Sequence, residues 1–185
     1  MAINDAIEMM NPEAGAEARY AARQLSFRAI VFIGLKIKRP SVLRASFMYF
    51  REHSFNRVTD LSHFGFSLDP GTTLLVAEIT CSPADALWKD DAAAIEAATA
   101  DLVREGLISR AEIVEAHAYR ARHGYPVYTL GYEDALARAL GAFAALGNAE
   151  TAGRQGRFQY VNTHVAMRMG FDAAESLARR LGAAA

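Results

Sequence analysis

From Thr72 to Thr80 the chain is made almost entirely of threonine and aliphatic residues, broken only by Glu78. Side chains of that shape suit a pleated, half-buried strand. Asp69-Pro70-Gly71 just before it is a turn signal. A second strand is predicted over Ser26–Ile37, through Ile30 and Phe32, with Gly34 marking a bulge or a close approach and Pro40 stopping it. Between them lie a shorter apolar run, Ala45–Phe50, a polar turn at Arg51–Ser54, and the short segment Phe55–Val58. Neighbouring strands joined by short turns favour antiparallel pairing.

Helical segments flank this block. Asn11-Pro12 reads as a helix start, with Asn as N-cap and Pro at the first helical position. Ala14, Ala18, Ala21, Ala22 and Leu25 then form one stripe, while Met1–Asn11 carries no assigned element. Asp90–Glu105 is a helix with Ile95, Ala98, Leu102 and Val103 on one face, closed by Gly106. Ile113–Tyr119 alternates as a strand does, although Ser109–Glu112 has the form of a helix-capping box. Gly124-Tyr125-Pro126 is expected to break that strand, Tyr132–Leu146 to form a helix, Ala149–Ala152 a short strand, and Asn162–Leu181 the last helix. The expected fold class is α+β: a mostly antiparallel sheet with flanking helices and a C-terminal strand-turn-helix.

Length and composition narrow the function classes. At 185 residues, 52% apolar and 22% charged, the sequence is that of an ordinary globular domain. A net charge of -1 gives no electrostatic footprint for nucleic acid. No apolar run reaches membrane-span length, and the first residues lack the pattern of a signal peptide. The single Cys81 excludes an internal disulfide and suits a reducing compartment, so the expected location is cytoplasmic. The five histidines show no metal-ligand spacing, so no metal site is expected. There is no Gly-x-Ser-x-Gly elbow.

The segment with chemistry to offer is Gly153-Arg154-Gln155-Gly156-Arg157-Phe158-Gln159-Tyr160-Val161-Asn162-Thr163-His164. Glycines on both sides of Arg154 and Gln155 permit close backbone approach. Beyond Asn162 and Thr163 a helix N-terminus offers unpaired N–H groups and a positive dipole end. Two readings stand: a surface turn ahead of a capped helix, or a wall for a flat, partly anionic ligand. Phe158 and Tyr160 are equally suited to packing. Arg57 sits between apolar neighbours and calls for a partner, either a substrate anion or a salt bridge to Glu78 or Asp60. Tyr125 and Tyr128 suit a substrate cleft or turn packing.

This glycine segment resembles the C-terminal flavin-contacting stretch of the FAD-dependent oxidoreductases: the amine oxidase, protoporphyrinogen oxidase and UDP-galactopyranose mutase group. The mutase branch is the nearest local likeness. Upstream, Phe55-Asn56-Arg57-Val58 with His63-Phe64, Leu75-Val76-Ala77-Glu78, and Tyr125-Pro126-Val127-Tyr128 resemble further segments of that group in the same order. The resemblance implies a substrate-domain region over 1–147 and a flavin-contacting segment of an incomplete FAD domain over 148–185. It implies FAD contacts from Gly153, Arg154, Gln155, Gly156, Phe158, Tyr160, Asn162, Thr163 and His164, and substrate contacts from Arg57, Tyr125 and Tyr128. Members of the group open with a Gly-x-Gly-x-x-Gly strand-turn-helix that holds the FAD pyrophosphate, and no such fingerprint occurs here. The expectation is therefore the C-terminal portion of an FAD-dependent oxidoreductase, as a fragment or as a subunit completed by a separate chain carrying the Gly-rich motif. The alternatives are a portion of a mutase-like sugar isomerase, or a non-catalytic binding or partner subunit without its own flavin.

Overall fold

The computed structural model describes residues 1–11, 13–65 and 69–182. The chain divides into two compact units: residues 1–28 with the chain from 123 onward, and Ala29–Arg122. Pro12 lies outside the described residues, but the helix expected to start at Asn11-Pro12 begins only at Ala16, with Gly15 at its N-cap.

The second unit is built on a five-stranded antiparallel sheet, ordered β2-β3-β4-β1-β5. Its strands are β1 (Ser26–Ile37), β2 (Phe47–Tyr49), β3 (Arg57–Asp60), β4 (Thr73–Cys81) and β5 (Ile113–Val127). In register, Ala29 faces Cys81, Gly34 faces Val76 and Ile37 faces Thr73, with no bulge at Gly34. The alternation of β1 and β4 sends Ala29, Val31, Ile33, Leu35, Ile37, Leu75, Ala77 and Ile79 to one face, where all are buried. Two short helices follow β4, α3 (Ala86–Lys89) and α4 (Asp91–Arg104). Ala94, Ala98 and Leu102 of α4 join the sheet residues in one apolar core.

The ends of α4 show why it forms where it does. Asp90 caps the start by accepting from the Ala93 N–H at 3.0 Å. At the other end Gly106 takes φ +68°. The Leu107 N–H then reaches the Leu102 carbonyl and the Gly106 N–H the Val103 carbonyl, the paired bonds of a Schellman stop. The capping box at Ser109 does form, with Glu112 accepting from the Ser109 N–H and hydroxyl at 2.7 and 2.9 Å. It caps a single 3₁₀ turn that feeds directly into β5.

The first unit is helical, with α1 (Ile3–Glu8), α2 (Ala16–Gln24), α5 (Tyr132–Leu146), α6 (Gly153–Gly156) and α7 (Thr163–Arg180). Ile3, Ile7, Ala22, Leu25, Ala139 and Phe158 form its core. Three expectations give way here. Residues 3–8 form α1, where Ile3 and Ile7, one turn apart, bury a single stripe. Gly124-Tyr125-Pro126 does not break β5, because β5 is an edge strand and a missing donor at Pro126 near its end is tolerated. Residues 149–152 form no strand and join no ladder of the sheet.

Candidate functional site

In the first unit the glycine segment is a single helical turn, α6, followed by a reversal. Gly153 enters it at φ +74°, and Phe158 leaves it at φ +51°, a conformation that costs energy for a side chain with a Cβ. The Phe158 ring is fully buried, with edge contacts to Phe27 at 4.9 Å and Tyr128 at 5.9 Å and a tilted contact to Tyr132 at 5.8 Å. That packing is what holds the reversal. Gly156 is close-packed: a Cβ there would collide with the Thr151 hydroxyl.

The reversal brings Arg154 back onto the chain ahead of α7. Its guanidinium donates to the Val161 carbonyl at 2.8 Å and lies over the rings of Tyr160 at 4.7 Å and Tyr125 at 5.3 Å. The Tyr160 N–H donates to the Tyr128 hydroxyl at 2.7 Å, and the Gln155 side-chain amide to the His123 carbonyl at 3.2 Å. Arg154, Tyr125, Tyr128, Phe158 and Tyr160 thus form one cluster, with Phe158 as its buried member. Tyr128 and Tyr160 stay exposed.

Helix α7 opens directly after this cluster. Asn162 occupies the N-cap position but its side chain makes no cap bond, and the first turn holds no acidic residue. Asn162, Thr163 and His164 are exposed. The first-turn N–H groups and the dipole end are therefore available to an electron-rich group.

In the second unit, Arg57 faces Glu78 across the β3–β4 ladder. Its Nε donates to Glu78 Oε1 at 2.9 Å, and a second guanidinium nitrogen bonds the same oxygen. The guanidinium also sits over the rings of Phe47 and Tyr49. Of the partners the sequence left open, Glu78 is the one at Arg57. Asp60 is engaged elsewhere, in a buried hub. It accepts from Thr73 Oγ1 at 2.6 Å, the Val42 and Leu43 N–H groups at 2.7 and 3.0 Å, and both the N–H and hydroxyl of Ser62. Burial pushes its carboxyl up, but the donors of Thr73, Val42, Leu43 and Ser62 outweigh that and hold it below the usual carboxylate range.

The sheet face opposite the core carries a cleft of about 470 Å³, floored by Gly34 and bordered by Phe32, Leu74, Val76, Lys36 and Tyr119. Lys36 Nζ is held between Asp69 at 2.5 Å and Glu115 at 3.4 Å. Hydrogen bonds and charge from these two carboxylates raise its pKa against a smaller effect of burial. Sequence reasoning did not single out Lys36 or Tyr119. The available signal was their place on the alternating face opposite the core. Among the described residues no group of three or more His, Cys, Asp or Glu side chains is placed to hold a metal ion. Among the described residues no helix is long and apolar enough to cross a membrane.

The sequence matches no protein-family model and no curated protein. Solved structures share the fold. A structure of reduced UDP-galactopyranose mutase superposes with a TM-score of 0.79 over 100% of this chain and 40% of its own, at 20% identity. A candidate protoporphyrinogen oxidase from Exiguobacterium sp. 255-15 gives 0.69 over 98% of this chain and 40% of its own, at 17% identity. Putrescine oxidase bound to putrescine gives 0.61 over 97% and 42%, at 18% identity. The chain thus spans about 40% of the length of these structures, and at such identities the likeness is one of fold.

Proposed function

We propose that this chain is the C-terminal portion of an FAD-dependent oxidoreductase of the amine oxidase type, supplying a substrate-bearing sheet and one wall of a flavin site. The observation that carries the reading is the uncapped start of α7 directly beyond the Arg154–Tyr160 reversal, in a fold matched by solved oxidoreductase structures along nearly the whole chain.

The donor set fits one edge of a flavin. The α7 first-turn amides, with Asn162, Thr163 and His164 exposed around them, suit the electron-rich side of the ring system. Gly153, Arg154, Gln155 and Gly156 bring backbone alongside, Tyr160 offers an exposed ring, and Phe158 holds the turn from beneath. When bound, FAD would accept hydride or electrons from the substrate. The protein groups position that exchange and stabilise charge. Arg154, fixed by Val161 and two tyrosine rings, sets where α7 begins. On the sheet face, Arg57 with Glu78 presents a compensated charge that a substrate anion would have to share. Tyr125 and Tyr128 supply ring and hydroxyl surface. The pyrophosphate-binding portion belongs to a Gly-x-Gly-x-x-Gly segment, in the same polypeptide or in a separate chain.

Coverage of the entire chain by the mutase fold favours a second reading, a sugar isomerase portion in which a reduced flavin serves the same site. One experiment separates the readings. The chain is co-expressed with the polypeptide encoded immediately upstream, in frame or as a neighbouring gene, and the product is examined by visible spectroscopy after gel filtration. A yellow complex that oxidises amines supports the first reading, and one that interconverts UDP-galactopyranose forms only when reduced supports the second. A folded product that retains no flavin overturns both and leaves a non-catalytic binding subunit.

A further inference from the structure

We infer that the cleft over Gly34 is a substrate site built for a monoamine carried on a flat apolar group. The inference rests on the amine oxidase reading for the fate of that ligand, and on the second unit alone for its binding. A glycine inside a strand costs stability and leaves nothing to pack. Gly34 has no backbone reason to be glycine, since its φ is not positive and its register with Val76 carries no bulge. A Cβ there would stand 3.7 Å from Leu74 and 3.9 Å from the His117 carbonyl, both ordinary contacts. A side chain would thus fit, and would fill the hollow. Without one, the sheet face keeps a cleft of about 470 Å³, within the range of small-molecule sites.

The lining fixes the chemistry of the occupant. Phe32, Leu74 and Val76 make the cleft apolar, and Phe32 and Tyr119 offer ring surface to a flat body. One part of the border is charged. Lys36 is 19% exposed and lies between Asp69 at 2.5 Å and Glu115 at 3.4 Å, while both carboxylates are more than half exposed. One cation against two carboxylates leaves one negative charge in excess. Among the described residues the other basic group near them is His117, whose Nε2 stands 3.7 Å from Glu115. Arg57, elsewhere on this face, is already matched by Glu78. A single ammonium therefore complements the border while its apolar body covers the floor. An anion would meet the exposed carboxylates. A dication would carry its second charge onto apolar surface, where desolvation is costly.

NMR titration of the 185-residue chain with phenethylamine, phenethyl alcohol and putrescine tests the inference without any flavin. Phenethylamine should bind on the order of tenfold tighter than either of the others, shifting the amide signals of Gly34 and Val76. The double variant Asp69→Asn/Glu115→Gln should lower amine affinity to that of the alcohol. Lys36→Met removes the competing cation, so it should tighten the amine roughly fivefold and leave the alcohol unchanged. Gly34→Leu should abolish binding of both, with circular dichroism of every variant that of the parent. Equal affinity for amine and alcohol, equal affinity for putrescine, or no tightening in Lys36→Met overturns the inference. The two readings fail separately. Selective amine binding by a chain whose co-expressed product retains no flavin keeps the site and overturns its use as a substrate site. An amine-oxidising flavoprotein whose KM for phenethylamine is unmoved by Lys36→Met overturns the site alone.

Discussion

In the second unit, α4 closes one sheet face with Ala94, Ala98 and Leu102, and strands distant in sequence meet in one continuous core. In the first unit, α7 runs for 18 residues and none of them is buried. Val165, Met167 and Phe171 are all exposed. What holds the far end of α7 is mostly polar: Arg180 to Glu150 at 2.7 Å and to the Ala149 carbonyl at 2.9 Å, with Ser176 near Glu150. The sheet gets its stability from apolar surface removed from water. The C-terminal helix relies on contacts that are individually weak in water. The two units thus teach different lessons about self-sufficiency, and the difference can be tested by substitution.

The largest effects should come where each unit is densest. Phe158→Ala removes the buried ring that holds the reversal and should cost about 4 kcal/mol, read from the urea unfolding of the chain. Asp60→Ala strands the N–H groups of Val42 and Leu43 and the Thr73 hydroxyl, at about 3 kcal/mol. If the Phe158 variant loses only the helical signal and the Asp60 variant loses sheet and helix together, the sheet stands without the helical unit but the helical unit depends on the sheet, and the sheet is the more autonomous.

A smaller effect sharpens the sheet side. The Asp60 carboxyl lies below its unfolded value of about 4. Its contribution is fully present above that value. It falls as pH drops below about 4, because the unfolded chain then binds a proton that the folded hub refuses. Urea midpoints measured from about pH 5 downward should decline, and Asp60→Asn should flatten that decline. An unchanged slope would place the acid sensitivity in other carboxylates, such as Asp101, which burial raises but Ser54 and Arg104 hold below the ordinary range.

The smallest effect belongs to α7. Phe171→Ser should change the stability of the isolated chain by no more than about 0.5 kcal/mol. A loss above about 1 kcal/mol would mean that this face is covered in solution, and the contrast between the units would weaken.

Much of the local structure was legible in the residues. Ser26–Ile37 and Tyr132–Leu146 form a strand and a helix with the expected bounds, and Thr73–Cys81 and Asp91–Arg104 lie within a residue or so of theirs. Each is long enough for a period of two or of 3.6 to declare itself. α1 escaped because six residues with two isoleucines give a weak signal, and β5 because Pro126 reads as a breaker unless the strand is known to be an edge. At the candidate site, the order of glycines, aromatics and helix start was plain. The inward turn of Phe158 and the return of Arg154 onto Val161 were not, since both depend on Phe27, Tyr125 and Tyr128 from distant parts of the chain.

By itself, then, the sequence determined where strands and helices form, that the sheet is antiparallel, and that a glycine turn precedes the last helix. These follow from side-chain shape, turn chemistry and periodicity within a few residues. Only the tertiary structure decided the strand order, the choice of Glu78 over Asp60 for Arg57, the hub at Asp60, and the division of aromatics between core and surface. Those outcomes turn on which groups meet across long stretches of chain, where burial makes every polar group find a partner and local pattern carries no information about which one.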